Sequence, residues 1–423
     1  MPLFPRFHPL LNGFGPRYVS IMDVTVLWNS ILMSDVHRLT GFGFGPIQGG
    51  LFVREAVRSG AFARVVVAEV DAELVAAVQA NRGCYSINIA RHDGIHSEDI
   101  SGVQMFNPLE PSGRDALVDA IAESTEICTC LPSVSAYGAS GGGSVASMLA
   151  CGLAEGKVSA TAVYTAENNN HAAECLEAEV AAVLPNVPGR PVQYLNTVIG
   201  KMSRVVTDPS EVERLNLRSL APGIRKAFLV EEFNRILATR ITLPGFTRGL
   251  AAFEEESDLL PFEEAKLYGH NASHALLGYL ANERGYRFMS EVAGDGALLA
   301  LAREALIGEA GCALVAKYAG RHPLFTPAGW QAYADDLMER MLNPHLSDAV
   351  ARVIRDPRRK LAWNDRLVGA MRLALEKGIA PRRFARGAAA ALALVPGMTL
   401  DELWPEAEEP VKTRLKELIL HEC

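Results

Sequence analysis

Short apolar runs alternate with helical patterns over the first half of the chain, and this alternation constrains the fold more than any other feature. The clearest runs are Arg64–Ala68, Glu126–Leu131 and Thr161–Ala166. Near-continuous apolar strands that are separated by helices are typical of a parallel sheet covered on both sides. We therefore predict an α/β fold with an N-terminal Rossmann-type, mostly parallel sheet and helices on both of its faces.

The second half of the chain has a different pattern. After Leu260, long stretches with a 3.6-residue period predict a mainly α-helical region. A chain of 423 residues is expected to form two domains. We assign residues 34–250 to the sheet domain, with further strands within 228–247, and residues 251–423 to the helical domain. Residues 1–33 are rich in Pro and Gly, and we expect either a poorly ordered extension or a biological start at Met33.

The composition is that of an ordinary globular protein, with 49% hydrophobic residues, 21% charged residues and a net charge of −8. This negative charge disfavours nucleic acid and anionic membranes as main partners. No stretch supplies the roughly 20 predominantly apolar residues of a membrane span, and no signal peptide is expected. These features predict a cytoplasmic protein. We expect a small molecule as its partner, and the sequence leaves a monomer and a homodimer both open.

The cysteine pattern does not indicate a metal site. Seven cysteines are present without any Cys-x-x-Cys pair. Cys128 and Cys130 would point to the same face of a predicted strand, but no second pair completes a set of metal ligands. We expect reduced thiols and no bound metal.

A glycine-rich turn follows the first predicted strand, Val36–Thr40. Its candidate binding residues are Gly43, Phe44, Gly45, Pro46 and Ile47. A helix is predicted after it, over Leu51–Ser59. Glycines let backbone N–H groups approach a pyrophosphate at the start of a helix, and Pro46 suits a first helical turn. The spacing departs from strict G-x-G-x-x-G, so an ordinary glycine turn explains this pattern equally well.

An acidic residue ends the second predicted strand. Glu69 follows Gly43 at somewhat more than the spacing of about 20 residues at which dinucleotide folds place an acid for the ribose hydroxyls. Asp71 and Glu73 come soon after it, and their negative charge would repel a 2′-phosphate. The strand, turn, helix and acid together predict a dinucleotide site that prefers NAD to NADP.

The strongest chemical pattern lies at the start of the helical part, where polar side chains recur on one helix. With Lys266 as the origin and about 100° per residue, Glu263, His270 and His274 fall within about 80°, and Asn271 falls at about 140°. A solvated face is one explanation, although such faces usually mix Lys and Glu rather than collect Asn and His. The two histidines also have the spacing of a zinc pair, but Asn271 stands where the H-E-x-x-H motif has Glu.

The spacing Lys266-x4-Asn271-x2-His274 resembles the signature of the polyol-specific long-chain dehydrogenases, the mannitol dehydrogenase family. The glycine turn and Glu69 resemble the N-terminal motifs of that family. Further matches are Ala166-Glu167-Asn168, Asn343-Pro344-His345-Leu346-x-Asp348, Arg355-Asp356-Pro357 and Arg359-Lys360-Leu361-x3-Asp365-Arg366. The resemblance runs from residue 36 to about residue 387.

The resemblance implies an NAD-dependent oxidoreductase that interconverts a polyol or polyol phosphate with the corresponding ketose. Mannitol 1-phosphate and fructose 6-phosphate are the expected pair. Lys266 would act as a zinc-independent general base, which requires burial and nearby positive charge to lower its pKa. By the same resemblance, Asn168 and Asn271 hydrogen-bond the reacting oxygen, and His274 orients substrate hydroxyls.

Several neighbouring residues receive weaker expectations. Glu263 would relay the proton outward or position the lysine, whereas Glu264 is expected to be exposed to solvent. No role follows for His270. Leu131 and Pro132 end a predicted strand and are expected to touch the cofactor, although a plain strand end explains them equally well.

A phosphate on the substrate would require fixed cations. Arg359, Lys360 and Arg366 are the group that the resemblance suggests. Salt bridges with Asp356 and Asp365 are an equally good explanation of these residues.

Two departures from the family pattern leave the substrate open. Gly49 replaces an arginine that is frequent in mannitol-1-phosphate enzymes, and Gly200 replaces an aspartate. The alternative functions are a hexuronate, pentitol or free-hexitol oxidoreductase of the same family, and a dinucleotide-binding regulator without turnover. The joint presence of Lys266, Asn271 and His274 argues against the regulator.

Overall fold

The structure, a computed structural model, describes residues 36–138, 143–185, 190–233, 235–405 and 407–422. The predicted extension over residues 1–33, with Met33, lies outside the described residues. Contacts group His37–Cys423 into one compact unit. A domain boundary near residue 250 therefore stays a prediction.

Two sheets contain the twelve strands found in the described part of the chain. The strands are β1 His37–Phe42, β2 Phe62–Ala68, β3 Tyr85–Ala90, β4 Ile95–Ile100, β5 Val103–Phe106, β6 Glu126–Thr129, β7 Thr161–Thr165, β8 Val192–Ile199, β9 Ser203–Val206, β10 Ala227–Glu231, β11 Ile236–Thr239 and β12 Phe253–Glu256. The predicted early strands are confirmed to within a few residues.

The large sheet has the order β12-β11-β8-β7-β6-β1-β2-β5. From β5 to β8 every neighbouring pair is parallel, and this part reproduces the doubly wound order 3-2-1-4-5-6. The strand β11 is antiparallel to β8, and β12 is parallel to β11. The predicted Rossmann-type, mostly parallel sheet is confirmed.

Both faces of the large sheet are covered. Along β2, Val65 and Val67 belong to one core cluster, whereas Val66 and Ala68 belong to another. This alternation explains why the strand reads as a continuous apolar run in the sequence. The helices of this region are Val53–Ser59, Ala72–Ala80, Pro111–Glu123, Val145–Ala154, Ala172–Val183 and Pro209–Arg214.

A second sheet, with the order β4-β3-β10-β9, was not predicted. Its residues Tyr85, Ile87 and Phe228 share a core cluster with Val65 and Val67, so this sheet packs on one face of the large sheet. The strands expected within residues 228–247 do form, but β10 enters the small sheet and β11 the large one.

The rest of the chain is helical, as predicted, and has its own core around Leu276, Trp330 and Met371. Its α-helices are Leu260–Glu264, Ala272–Glu283, Gly296–Glu304, Cys312–Lys317, Pro327–Met341, Val350–Val353, Pro357–Lys360, Arg366–Glu376, Arg382–Leu392, Leu400–Leu403 and Val411–His421. π-Helical stretches at Ala265–Asn271 and Ala305–Gly311 connect some of them.

Candidate active site

The glycine turn lies where the strand order reverses. β1 pairs with β2 on one side and with β6 on the other, which leaves a crevice beyond the carboxyl ends of the strands. Gly43 has φ of +79°, and a Cβ there would lie 2.8 Å from the carbonyl oxygen of Cys130. A Cβ on Gly45 would have no atom within 4 Å. The turn therefore requires glycine at Gly43 and has open space beside Gly45.

The helix that follows the turn begins earlier than predicted. It starts at Pro46 and Ile47, passes through a π-helical stretch at Gln48–Phe52, and becomes a regular α-helix at Val53–Ser59. A Cβ on Gly49 would lie 3.1 Å from the ring of Phe228. Gly49 is thus packed against the core of the sheet domain.

The carboxylate of Glu69 ties the glycine turn to the end of β2. Its Oε2 accepts a hydrogen bond from the Phe44 backbone N–H at 2.8 Å, and its Oε1 accepts one from the Asp71 backbone N–H at 2.8 Å. The Phe44 ring packs on Tyr85 and Phe228. The structure therefore brings the predicted acid and the glycine turn together.

The charge of Asp71 is balanced by a lysine that the sequence did not single out. Asp71 caps its helix by accepting a hydrogen bond from Leu74 N, and Lys226 Nζ lies 2.6 Å from its other oxygen. The hydrogen bond from Lys226 is the main reason why the pKa of Asp71 is lowered. Repulsion of a 2′-phosphate would therefore depend mainly on Glu69.

Leu131 and Pro132 follow β6 beside the glycine turn. The Leu131 Cδ2 atom is 3.1 Å from the position of a Cβ on Gly43, and Pro132 is exposed. Leu131 N donates a hydrogen bond to the buried Glu167 at 2.8 Å, and the Thr129 hydroxyl donates another at 2.9 Å. Glu167 thereby holds the ends of β6 and β7 together.

The helix with the candidate catalytic residues contains a wide turn. The α-helix Leu260–Glu264 runs into the π-helical stretch Ala265–Asn271 and continues as an α-helix over Ala272–Glu283. A π turn holds an extra residue because its hydrogen bonds join residues i and i+5. Lys266 and Asn271 therefore line the same cavity, and the angle of about 140° predicted for an ideal α-helix is wrong.

Trp330 packs between two of the wide turns. A Cβ on Gly269 would lie 3.0 Å from its ring, and one on Gly311 would lie 2.2 Å from its Nε1. The indole N–H donates a hydrogen bond to the Leu306 carbonyl at 2.9 Å. The indole thus supports the backbone beneath Lys266.

A cavity of about 270 Å³ brings the predicted catalytic residues together. Lys266 Nζ donates a hydrogen bond to Asn168 Oδ1 at 3.4 Å, and Glu263 and Asn271 line the same space. The rest of the lining includes Asn169, Asn170, Thr197, Val198, Arg359 and Arg366. The segment after β7 supplies the amide of Asn168, and the wide turn supplies the amine of Lys266 and the amide of Asn271.

Burial shifts the pKa values of two side chains in this cavity toward neutral pH. It lowers the pKa of Lys266 to about 8, and the positive charge of Arg366 acts in the same direction, whereas Glu263 opposes it. Burial also raises the pKa of Glu263 to about 7, helped by the negative charge of Glu174 and opposed by Lys266. Both values suit proton transfer near pH 7.

Glu264 is not exposed to solvent, contrary to the prediction. Lys317 Nζ lies 2.7 Å from its Oε2, and the Tyr318 hydroxyl donates to the same oxygen at 2.7 Å. The helix turns Glu264 away from the cavity and toward these two partners, so it braces the helical core.

His274 contacts a carboxylate that the sequence placed in a family motif without assigning it a role. Its Nε2 lies 3.1 Å from Asp348 Oδ2, and Arg352 donates two hydrogen bonds to Asp348 at 2.7 and 2.8 Å. Burial alone would raise the pKa of Asp348, but the interactions with His274 and Arg352 hold it well below its usual range. Asp348 thus fixes the imidazole of His274.

A second cavity of about 400 Å³ adjoins the first and is strongly cationic. Asn271, Arg359 and Arg366 line both cavities. The second is also lined by His274, Arg352, Arg355, Asp356 and Lys360. The predicted phosphate residues thus gather in one place, with Arg352 and Arg355 as additions.

The cations of this cavity make the salt bridges that the alternative explanation predicted. Arg359 Nε lies 3.2 Å from Asp356, and Arg366 Nε lies 2.7 Å from Asp365. Lys360 is buried, and its amine donates to the Arg355 carbonyl. Burial lowers the pKa of Lys360 to about 8, and the charges of Arg366 and Arg359 add to this effect.

His270 is buried, and its ring centroid lies 6.2 Å from that of His274. Among the described residues, no group of three His, Cys, Asp or Glu side chains is arranged to hold a metal ion. The same residues contain no helix that is long and apolar enough to cross a membrane.

Some residues of the two cavities were missed from the sequence. Asn169 and Asn170 directly follow Asn168, so the run of three asparagines after a buried strand was an available signal. Arg352 lies on a short helix, and no periodic pattern distinguishes it from a surface arginine. Arg355 stands in the matched motif Arg355-Asp356-Pro357, but no role was predicted for it.

Comparison with known proteins agrees with this geometry. The family described as mannitol dehydrogenase C-terminal domain matches residues 258–418. A mannitol-1-phosphate 5-dehydrogenase from Exiguobacterium sibiricum is 29% identical over 83% of this chain and 84% of the relative. These matches make the chain similar to the mannitol dehydrogenase family. A second relative with that name, from Brevibacillus brevis, is 28% identical over 90% of this chain and 92% of its own length.

Two solved structures have a fold similar to that of this chain. A D-sorbitol dehydrogenase in substrate-free form has a TM-score of 0.68 at 14% identity and covers 93% of this chain and 87% of its own. The Pseudomonas fluorescens mannitol 2-dehydrogenase in a ternary complex with NAD and D-mannitol has a TM-score of 0.65 at 16% identity, with 92% and 85% covered. At these sequence identities, the similarity shows a shared fold only.

Proposed function

We propose that this protein is an NAD-dependent oxidoreductase of the mannitol dehydrogenase family that interconverts a polyol phosphate and the corresponding ketose phosphate, with mannitol 1-phosphate and fructose 6-phosphate as the first pair to test. One observation carries the proposal: the half-buried amine of Lys266 faces Asn168 and Asn271 in a cavity that continues into a cationic one. The names of the curated relatives agree with this substrate class.

The dinucleotide crevice has the features that such a cofactor needs. Gly43 brings the turn close to the end of β6, and the open space beside Gly45 would admit a pyrophosphate at the start of the helix. The carboxylate of Glu69 lies at the end of β2 and would accept ribose hydroxyls. When bound there, NAD⁺ supplies the acceptor for the hydride.

Lys266 is the proposed general base. During oxidation the carbinol carbon loses a hydride and its hydroxyl loses a proton, and the neutral amine of Lys266 takes that proton. During reduction the ammonium form returns it to the carbonyl oxygen. The lowered pKa of about 8 gives both forms a substantial population near neutral pH. This assignment makes the reaction zinc-independent.

Three further side chains would act on the substrate. The amides of Asn168 and Asn271 can donate hydrogen bonds to the oxygen as negative charge develops on it. His274, fixed by Asp348, would orient a neighbouring hydroxyl. Glu263, with a pKa near 7, would pass the proton from Lys266 toward solvent.

The cationic cavity favours a phosphorylated substrate over a neutral polyol. Five cationic side chains line it, with Asp356 as the one acid among its lining residues. Guanidinium groups bind phosphate in a bidentate manner. A hexuronate, which carries a carboxylate, is the second candidate because the same cations would bind it.

A substrate panel tests the proposal. Purified protein with NADH should reduce fructose 6-phosphate faster than fructose, tagaturonate and fructuronate at equal concentration. Faster reduction of the hexuronates would replace the phosphate assignment with the second candidate. Tight NADH binding with no turnover of any panel member would instead identify a dinucleotide-binding regulator.

A further inference from the structure

Lys266 also borders a third cavity of about 490 Å³, on a different side from the cationic one. Lys266 and Val198 line both this cavity and the polar cavity around Asn168. Its inner end lies at Lys266, and exposed residues such as Pro323 and Ala332 line its outer part. The mechanism proposed above does not use this space.

The walls of the third cavity are mainly apolar. Phe262 is buried, and Phe233, Leu237 and Leu324 are half-buried around the space. The volume falls within the range of roughly 300–1,000 Å³ of small-molecule sites, which are lined mostly by apolar and aromatic side chains. Arg235, Glu254, His322 and Asp336 also line the space. An alkyl or aryl group would bury its surface against the apolar side chains.

The wall beside β8 is open because residue 200 is glycine. A Cβ on Gly200 would have only the ring of Phe233 within 4 Å, at 3.8 Å. Arg340 holds this wall: its guanidinium lies 3.6 Å from the Phe233 ring centroid, and its Nη2 donates to the Gly200 carbonyl at 2.5 Å. The charge of Arg340 is compensated by Glu231 at 2.7 Å. Arg340 therefore stiffens the wall without adding a free charge.

One buried polar side chain is aimed into this space. His270 lines the cavity and is 6% exposed. Burial lowers the pKa of His270 well below 6.5, so the ring is neutral and can donate one hydrogen bond and accept another. A polar atom of a ligand in the cavity can form either hydrogen bond with this ring.

We propose that the third cavity receives an apolar substituent on the carbon that is oxidised, so that the preferred substrate carries an anionic polyol arm on one side of that carbon and an apolar arm on the other. Gly200 is then the residue that determines specificity for the second arm, and His270 contacts a polar atom at its base. The inference rests on the proposed function. Mannitol 1-phosphate would place only a hydroxymethyl group in this space.

The test compares two ketones with NADH as reductant. One is fructose 6-phosphate, and the other is its analogue with an n-butyl group in place of the hydroxymethyl group next to the carbonyl. The ratio of their kcat/KM values should favour the butyl ketone by at least about 10-fold, because each buried methylene discriminates strongly in an apolar pocket. Equal or better use of fructose 6-phosphate overturns the inference.

Variants at two glycines test the assignment of Gly200. Gly200→Leu fills the cavity and should abolish the preference for the butyl ketone. Gly294→Leu is the matched control, because a Cβ on Gly294 also meets nothing within 4 Å but this residue lies outside all three cavities. An unchanged ratio in Gly200→Leu overturns the inference, as does an equal loss of preference in the control.

Binding of benzyl alcohol gives a readout besides activity. It should raise the Tm of the wild type and of Gly294→Leu but not that of Gly200→Leu, because ligands stabilise only the state that binds them. If Gly200→Leu shows no cooperative unfolding, Gly200→Asp replaces it, since a carboxylate there repels an apolar ligand without filling the space. Absence of turnover with both ketones overturns the proposed function and this inference with it, whereas turnover without preference overturns this inference alone.

Discussion

The Lys266 amine lies 3.4 Å from the side-chain oxygen of Asn168, although 98 residues separate them in the chain. Asn168 follows β7, and Lys266 lies on the wide turn of a helix from the other half of the protein. A base on one element and a hydrogen-bonding amide on the other thus meet only in the folded chain.

Replacing Lys266 by Ala should lower kcat by about 10²–10⁴, the usual contribution of a general base. Lys377→Ala is the control, because this exposed lysine caps a helix outside the cavities. Steady-state rates for both directions give the comparison, and added methylamine should partly restore the Lys266→Ala enzyme. Full activity of that variant would refute base catalysis by this residue.

The pH dependence of the two directions should be opposite. Oxidation needs the neutral amine of Lys266, so its rate should rise with pH and level off above a midpoint of about 8. Reduction needs the ammonium form and should decline over the same range. Glu263→Gln removes a charge that raises the pKa of Lys266, so the midpoint should move to lower pH. A midpoint that stays in place or moves upward contradicts this coupling.

Variants of Arg359 and Arg366 should distinguish the binding of the substrate phosphate from the effect of positive charge on the pKa of Lys266. Hydrogen bonds to charged groups contribute about 1.5–3 kcal/mol, so Arg359→Ala or Arg366→Ala should raise KM for fructose 6-phosphate roughly 10- to 100-fold. KM for fructose should change far less. Arg366→Ala should also move the oxidation midpoint to higher pH, because Arg366 lowers the pKa of Lys266. Equal effects on both substrates would argue against a phosphate site.

Asp348→Asn should destabilise the fold in a pH-dependent way. The folded-state pKa of Asp348 is depressed below the ordinary aspartate value of 3.8, so its stabilising contribution is present above that value and is lost as the pH falls through the folded-state pKa. Urea unfolding should therefore show a larger difference between wild type and variant at pH 7 than at pH 3. A difference independent of pH would assign the effect to packing alone.

Gly269→Ala should reduce both stability and turnover. The added Cβ would lie 3.0 Å from the Trp330 ring, and overpacking of this kind costs about 1–3 kcal/mol. Gly308→Ala is the matched control in another π-helical stretch, where a Cβ meets Glu304 Cγ at 3.7 Å. Thermal unfolding and kcat measure the two effects. Identical behaviour of the two variants would show that Trp330 does not constrain the wide turn.

The sheet and the motif residues were accessible from the sequence because they depend on local patterns. A strand buried on both faces, such as β2, reads as a continuous apolar run, and the left-handed φ of Gly43 requires the glycine that marks the turn. The small sheet was missed because β3 and β10 pair across a long separation in the chain. Pairing of that kind leaves no periodic signal.

The sequence predicted Lys266, Asn168 and Asn271 as residues of the candidate site, but it did not predict how they are arranged. The wheel of an ideal α-helix placed Asn271 on the same side as Lys266 but about 140° away, whereas the wide turn brings the two residues to one cavity. The contact of Asp348 with His274 joins a loop to a helix, and Lys317, the partner of Glu264, lies on another helix. Contacts of this type are set by tertiary structure and not by the spacing of residues in one segment.

The wide turn at Ala265–Asn271 has a consequence for how this site can change during evolution or design. The geometry of the site depends on the number of residues in this segment as well as on their side chains. If this segment kept its length but wound as a regular α-helix, Asn271 would lie about 140° around the helix axis from Lys266. A chain could then retain every residue of the motif and still have lost the site.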